Sequence, residues 1–391
     1  MPSGLKRLWE AMPRPIQSLI AMTVDRILGH PVPSPPGAPT DAAVRVLIGP
    51  VNWAGQGYRW ARAIEQNPTI AARNLISAEI DTFGFDFDYG VRWRTMTHSR
   101  RWQREALERV IRDFTHVLFE AQMPLLGGLF KEDIRRQVEA LRAGGVSVGM
   151  ICHGTDIRLP SRSAHRERWS PYLSDDWVPV PPLEELALRN RQLLDDLQAP
   201  TFVSTPGLLL DVPYAHVLPV VIDPTLWVTG APALRQTRLR VLHVPSNPVP
   251  KGTLLIEPTL RRLHDEGVIE HITVPFGAEH SAMPALIASA DVVLDQFRIG
   301  DYGVGACEAM MAGRLVVSHV SDQARAAVLD ADGIELPIVE ATVDSLESVL
   351  RSVANHPESY REAAARGPEF VSLVHDGRKS REVLERHFLF A

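Results

Sequence analysis

Between Val241 and Val320 the chain reads twice as strand, glycine-bearing loop and helix. That repeat restricts it to an open α/β sheet more than any other feature does. The first unit is the apolar run Val241 to Val244, a loop from Pro245 to Gly252 with three prolines, and a helix from about Thr253 to Asp265. Prolines at that density leave no regular structure in the loop, so Lys251 and Gly252 should end it where the helix begins. A lysine beside free backbone N–H groups at a helix start can hold a phosphate. Lys251 is one of only four lysines among 41 basic residues. A solvated loop lysine would fit the same pattern.

The second unit is a buried strand, Val292 to Gln296, a loop from Phe297 to Gly305, and a helix opening at Ala306 to Ala312. Gly300, Gly303 and Gly305 allow positive φ and a close approach of backbone to a ligand. Glu308, expected on the first turn of that helix, offers a carboxylate suited to a pair of sugar hydroxyls. The same residue could merely complement the helix dipole.

Lys251-Gly252, Ala290-Asp291, Tyr302-Gly303-Val304, Glu308-Ala309-Met310, Gly313 and Val316-Val317 stand in the order found in one family. Together they resemble the C-terminal domain of retaining GT-B-fold glycosyltransferases, the group 1, family 4-like enzymes that include bacterial mannosyltransferases and sucrose synthase. The resemblance implies an α/β chain with two Rossmann-like domains facing a cleft. It implies that Lys251 binds the donor diphosphate and Glu308 the nucleotide ribose, with Gly252, Tyr302, Gly303 and Val304 beside them. Two positions depart from the pattern. Where the family carries a glutamate that contacts the donor sugar, this chain has Gly300 followed by Asp301; where it carries an arginine before the lysine, this chain has Pro245 and Ser246. Gly300, Asp301 and Ser246 are therefore expected at the donor site with the sugar left open, and the diphosphate is left to Lys251, backbone N–H groups and an arginine from elsewhere.

A chain of 391 residues is too long for one ordinary core, so two domains are expected. With 45% hydrophobic and 23% charged residues it is an ordinary globular composition. A net charge of -6 argues against general nucleic-acid binding, so any phosphate affinity must be local. Cys152 and Cys307 lie in apolar contexts far apart, which suits buried thiols in a reducing compartment. No apolar run reaches a membrane span and no signal peptide is legible, so a cytoplasmic protein is expected. The abundance of Arg, Ala and Pro hints at a GC-rich bacterial genome.

Residues 1–30 carry Lys6, Arg7, Arg14 and Arg26, with Trp9, Ile16, Leu19, Ile20, Ile27 and Leu28 spaced for one helical face. Such a helix can lie on an anionic membrane surface as a peripheral contact, or pack against its own domain or a partner subunit. A proline-rich linker follows from His30 to Pro39. The strand Ala43 to Gly49, the Gly55-Gln56-Gly57 loop and a helix from Tyr58 to Gln66 then open a Rossmann-like half. That loop is too short for a dinucleotide fingerprint. The resemblance carries Gly55 and Gly57 to the donor phosphates and the acceptor.

Strands Asn74 to Ile80, Val117 to Glu120 and Val146 to Cys152 alternate with helices near Arg101 to Asp113 and from Lys131 to Ala143, which implies a parallel sheet. Asp86 and Asp88 have the spacing of a manganese pair, but no second carboxylate cluster lies near them, and no metal is expected. His153 to Arg158 follow a strand end, where polar residues face a ligand site in an open sheet. His153 can hydrogen-bond a sugar hydroxyl or the leaving oxygen, and Arg158 can add positive charge near the diphosphate; ordering the loop is the simpler role for His153 and Asp156. The resemblance also gives His153 a contact to the donor sugar. Cys152 and His153 cannot act as a nucleophile and base, since adjacent strand residues point to opposite faces. A helix Leu183 to Leu197, a strand Phe202 to Ser204 and a crossover from Val217 to Asp223 lead to the second half. Helices follow at Ser345 to Val353, Pro357 to Glu369 and Arg378 to Phe390.

The expected organisation is residues 1–39 as helix and linker, 40–222 as acceptor domain, 223–372 as nucleotide-sugar donor domain, and 373–391 as a helix packing back across both. The expected activity is transfer of a sugar from a nucleoside diphosphate sugar to an acceptor hydroxyl, with retention, without a metal and without a further cofactor. His153 and Lys251 are the expected catalytic residues. The acceptor, a sugar or a lipid-linked carrier, is not specified. Two alternatives are a glycosyltransferase-like binding or scaffold subunit that has lost its chemistry, and a nucleotide-sugar epimerase.

Overall fold

The computed structural model describes residues 11–38, 41–77, 84–227, 231–274 and 280–391. Lys6, Arg7 and Trp9 of the expected first helix, and the end of the strand expected at 74–80, lie outside the described residues. Among those described, the strands form two parallel sheets. The first contains β1 (Val44–Gly49), β2 (Ile70–Ser77), β3 (Tyr89–Val91), β4 (His116–Glu120), β5 (Ser147–Cys152), β6 (Thr201–Val203) and β7 (His216–Val217), ordered β3-β2-β1-β4-β5-β6-β7. The second contains β8 (Leu239–His243), β9 (Ile269–Ile272), β10 (Val292–Leu294), β11 (Leu315–Ser318) and β12 (Ile338–Glu340), ordered β12-β11-β10-β8-β9. By packing, Met1–Ile151 with Leu197–Pro200 form one compact unit, and Cys152–Asp196 with Thr201–Ala391 the other.

The central strands are apolar on both faces because helices cover both, as parallel sheets require. In the second unit Trp227, Met310, Val316 and Phe370 form the core on one face of the sheet. Ile256, Leu260, Leu315 and Leu350 form it on the other. Each sheet also reverses its direction of growth. From β1 the chain adds β2 and β3 on one side and β4 on the other; from β8 it adds β9 on one side and β10 on the other. The connections that leave β8 and β10 therefore lead to opposite edges of the sheet, and it is at the C-terminal strand ends of such a reversal point that ligands bind in open α/β sheets.

Two expectations change. β2 begins at Ile70 rather than Asn74, because Val44 pairs with Ile70 and the small residues Ala71 and Ala72 occupy buried strand positions. The segment before Gly252 is not devoid of regular structure: Pro248–Lys251 forms a single helical turn. Pro248 occupies its first position, where the missing N–H costs nothing, and Asn247 Oδ1 caps it by accepting from Val249 N at 3.1 Å.

The helix Arg361–Val374 crosses the helix Val304–Met311 at Gly367, where an added Cβ would stand 2.6 Å from Met310 O. Alanine normally gains about 1 kcal/mol over glycine inside a helix, but the overlap with backbone should outweigh that gain. Gly367→Ala is expected to lower unfolding stability by about 1–3 kcal/mol net, read from the urea midpoint. A raised midpoint would show that the two helices part freely.

Candidate functional site

Lys251 and Gly252 leave β8 and the loop Phe297–Gly303 leaves β10, so they flank the reversal point of the second sheet. Gly252 adopts φ +80 at the start of the helix Thr253–Asp265. A Cβ there would come within 3.2 Å of Phe297 Cβ, so the glycine lets the turn lie against the loop. Phe297 N donates to Lys251 O at 3.2 Å. The Arg298 guanidinium then joins three carbonyls: Val249 at 3.2 Å on the lysine turn, Trp169 at 2.7 Å and Ser170 at 3.0 Å.

The Lys251 ammonium, 18% exposed, forms an ion pair with Asp295 Oδ1. Asp295 directly follows β10 and is buried, and its Oδ2 has no hydrogen-bond partner among the described residues. Its Oδ1 lies 3.6 Å from where a Cβ of Gly305 would be, so the carboxylate also borders the first turn of the helix Val304–Met311. His243, last residue of β8, sits behind this pair. Burial pushes its pKa down to about 4, so the ring is neutral. Nδ1 must then carry the proton to donate to Leu294 O at 3.0 Å, leaving Nε2 to accept from Thr253 Oγ1 at 2.9 Å.

Asp301 is 1% exposed, and its carboxylate gathers partners from three segments. Oδ2 accepts from Thr205 Oγ1 at 2.7 Å and Gly207 N at 3.1 Å, and lies 3.5 Å from Arg158 Nη2. Burial raises the Asp301 pKa, and Arg158 and Thr205 work against that rise. Arg158 is thereby placed against Asp301, and its own N–H donates to Gly154 O at 2.7 Å. His153 and Gly154 both donate their N–H groups to the buried Asp156 carboxylate, at 3.1 and 2.6 Å, which shapes the turn after β5. Tyr302 is buried, its hydroxyl 3.3 Å from His375 Nε2.

Of the loop glycines only Gly300 takes positive φ, at +69. Gly303 is extended and caps the helix Val304–Met311, and Gly305 lies inside it. The contribution of Gly303 is space, since an added Cβ would meet nothing within 4 Å. Gly300 has the opposite surroundings: a Cβ there would overlap Glu167 Oε1. Glu167 Oε2 accepts from His319 Nε2 at 2.7 Å, and His319 Nδ1 lies 2.6 Å from Glu340 Oε1. Glu340 Oε2 also accepts from Val320 N and Arg325.

Glu308 lies on the second helical turn rather than the first, because the helix begins at Val304. It is buried and accepts from His280 Nε2 at 2.8 Å. Ser246 is exposed. Among the described residues no hydrogen bond or ion pair joins Glu308 to Lys251; Lys251 pairs with Asp295, whose Oδ1 borders the first turn of Val304–Met311. Gly55 and Gly57 belong to the first unit. Gly55, at φ +73, precedes the helix Gln56–Ile64, and Gly57 lies within it, not in a loop. A Cβ on Gly57 would come within 2.5 Å of Asn74 Nδ2 and 2.9 Å of Glu120 Oε2, so packing alone demands glycine there. Asp88 Oδ2 takes hydrogen bonds from Asn74 N and Arg62, a structural role.

Sequence reasoning missed Asp295, Glu167, His319 and His280. Asp295 had a legible signal, a polar residue directly after an apolar strand, the position His153 also holds. The others had none, because their partners are remote in sequence.

Solved structures resemble the chain over most of its length. Sucrose-phosphate synthase from Thermosynechococcus elongatus matches with a TM-score of 0.55 at 12% identity, over 88% of this chain and 98% of that one. The fold is that of GT-B glycosyltransferases. The GT-B catalytic domain of starch synthase IV from Arabidopsis thaliana, bound to ADP and acarbose, matches at 0.53 and 10% identity over 88% and 99%. Anabaena HepE in complex with UDP-glucose matches at 0.53 and 10% identity over 88% and 98%. No protein-family model and no curated sequence matches the chain.

Burial alone would lower the His319 pKa, but hydrogen bonds to Glu167 and Glu340 outweigh it and push it up to about 9. A pKa raised by folding stabilises fully below the ordinary 6.5 and is lost as pH rises through about 9. The stability advantage of wild type over His319→Gln should therefore shrink across that window in denaturant titrations. An advantage independent of pH would mean a neutral ring.

Proposed function

We propose that this chain transfers a sugar from a nucleoside diphosphate sugar to an acceptor hydroxyl, with retention and without a metal ion. The observation that carries the reading is the pairing, at the reversal point of the second sheet, of the Lys251 turn with the open start of the Val304–Met311 helix. Breaking an anomeric bond builds negative charge on the departing diphosphate, and fixed positive groups there lower the barrier. Lys251 and the N–H groups at Val304 and Gly305 are such groups. In a retaining displacement the acceptor attacks from the side the diphosphate leaves, and the phosphate itself takes the proton, so no enzymic base is required. Glu308 would accept from ribose hydroxyls, exchanging its bond to His280. His153 would contact the sugar or the leaving oxygen. Ser246 and Asp301 would lie on the donor side.

The acceptor fits a lipid-linked carrier. In the helix Arg14–Ile27 the side toward its own unit holds Ala21 and Asp25, and Asp25 pairs with Arg94 at 2.9 Å. Ile16, Leu19, Ile20, Ile27 and Leu28 face solvent, Leu19 at 69% and Ile27 at 78% exposure, with Arg14 and Arg26 exposed beside them. An apolar stripe flanked by exposed arginines, of which Arg14 lies 3.8 Å from Glu132 Oε1, suits an anionic bilayer surface. No helix among the described residues is long and apolar enough to cross one. Vesicles containing phosphatidylglycerol should co-sediment the wild type and release the Leu19→Glu, Ile27→Glu double variant; equal sedimentation would remove this helix from membrane contact.

One observation favours a binding subunit without chemistry: Lys251 and Arg158 are both already paired with carboxylates. Turnover decides. Lys251→Ala should lower transfer by about tenfold or more. Because that change strands Asp295, the Lys251→Ala, Asp295→Asn double variant should be equally slow with circular dichroism unchanged. Tight nucleotide binding with no transfer or donor hydrolysis by the wild type would select the subunit instead.

A further inference from the structure

The space beside Gly300 belongs to a carboxylate from a remote segment, and that carboxylate has one oxygen to spare. Glu167 follows the helix Pro160–Arg166. Its Oε2 is held by His319, whose two ring nitrogens both face carboxylates, so both must donate and the ring is an imidazolium. Its Oε1 makes no hydrogen bond among the described residues and stands where any side chain at position 300 would begin. The segment is registered as well: Arg298 binds the carbonyls of Trp169 and Ser170, just beyond Glu167, and with the same guanidinium the carbonyl of Val249 on the lysine turn. Glu167 and the Lys251 turn thus both meet one loop, 297–301, the anion at Gly300 and the turn at Phe297.

We propose that Glu167 Oε1, for which the missing side chain of Gly300 makes room, accepts hydrogen bonds from the hydroxyls of the sugar being transferred. This rests on the glycosyl-transfer reading. A fixed carboxylate repels a diphosphate and cannot donate, so the group it selects must carry hydroxyls and no charge. The sugar meets that description, and the ribose is already served by Glu308. His319 acts through Glu167 as a positioning residue: it fixes one oxygen and thereby aims the other.

The test separates nucleotide from sugar. Calorimetric titration with UDP, GDP and ADP, and with UDP-glucose, GDP-mannose and ADP-glucose, is made on wild type and Glu167→Gln. The nucleoside diphosphate that binds the wild type should bind the variant within about twofold, while its sugar conjugate weakens about 10- to 100-fold, as loss of a charged acceptor implies. Glu167→Asp keeps the charge for His319 but withdraws the carboxylate by one methylene; it should lose part of the sugar affinity at an unchanged melting temperature, which guards against a misfolded glutamine variant. Equal weakening of nucleotide and conjugate, or no weakening of either, would overturn the assignment of Glu167 alone. Failure of the wild type to bind any of the three diphosphates would overturn the glycosyl-transfer reading beneath it.

Discussion

A carboxylate as deeply buried as that of Asp301 keeps its charge only if partners replace the water it has lost, and the loop Phe297–Gly303 is organised by that demand. Thr205, Gly207 and Arg158 satisfy it from segments that leave strands of the other sheet. Removing one partner of such a buried pair typically costs about 3–5 kcal/mol. The loop from Phe297 to Gly303 is therefore not free to wander, although it contains glycines and lacks regular structure. Asp301 ties down its far end and Arg298 its near end, and Ser321 N secures its middle by donating to Gly300 O at 3.0 Å.

Rigid loops on a parallel sheet also explain why the chemistry gathers where it does. His243, Asp295 and His319 each stand at or just beyond the C-terminal end of a strand, β8, β10 and β11. His243 and Asp295 stay buried there, and backbone pairing continues from Asp295 N to Val317 O at 3.3 Å and from His319 N to Gln296 O at 2.8 Å. The neutral ring of His243 completes the arrangement by joining Leu294 O to Thr253 Oγ1, which couples the strand that precedes Asp295 to the helix that follows Lys251. Few polar residues in this unit are placed by their own local sequence.

That pattern sets what could be read without coordinates. The alternation of apolar runs with helical periodicity made the parallel sheets legible, as did the strand ends at Gly49, Glu120 and Cys152. Short strands such as β3, β9 and β12 carry three or four residues each, too few for any periodicity to emerge. Lys251-Gly252 and the Tyr302 to Glu308 stretch were legible as local patterns, since a turn and a helix start are properties of neighbouring residues. Glu167 and His319 could not be found that way, because neither residue has a distinctive neighbour and their meaning arises only when the chain brings them to Gly300. The single turn at Pro248–Lys251 was hidden for a different reason: proline signals an irregular segment in most settings, and only the cap from Asn247 shows that it begins a helix here.

Three cations beside the loop Phe297–Gly303 are matched within the molecule: Lys251 by Asp295, Arg158 by Asp301, Arg298 by three carbonyls. A diphosphate arriving at the proposed site would find these three already engaged. It would have to win Lys251 from a resident anion, so recognition in the proposed reading would be an exchange of counter-ions, and simple anions that bring no second point of attachment would gain little from the trade.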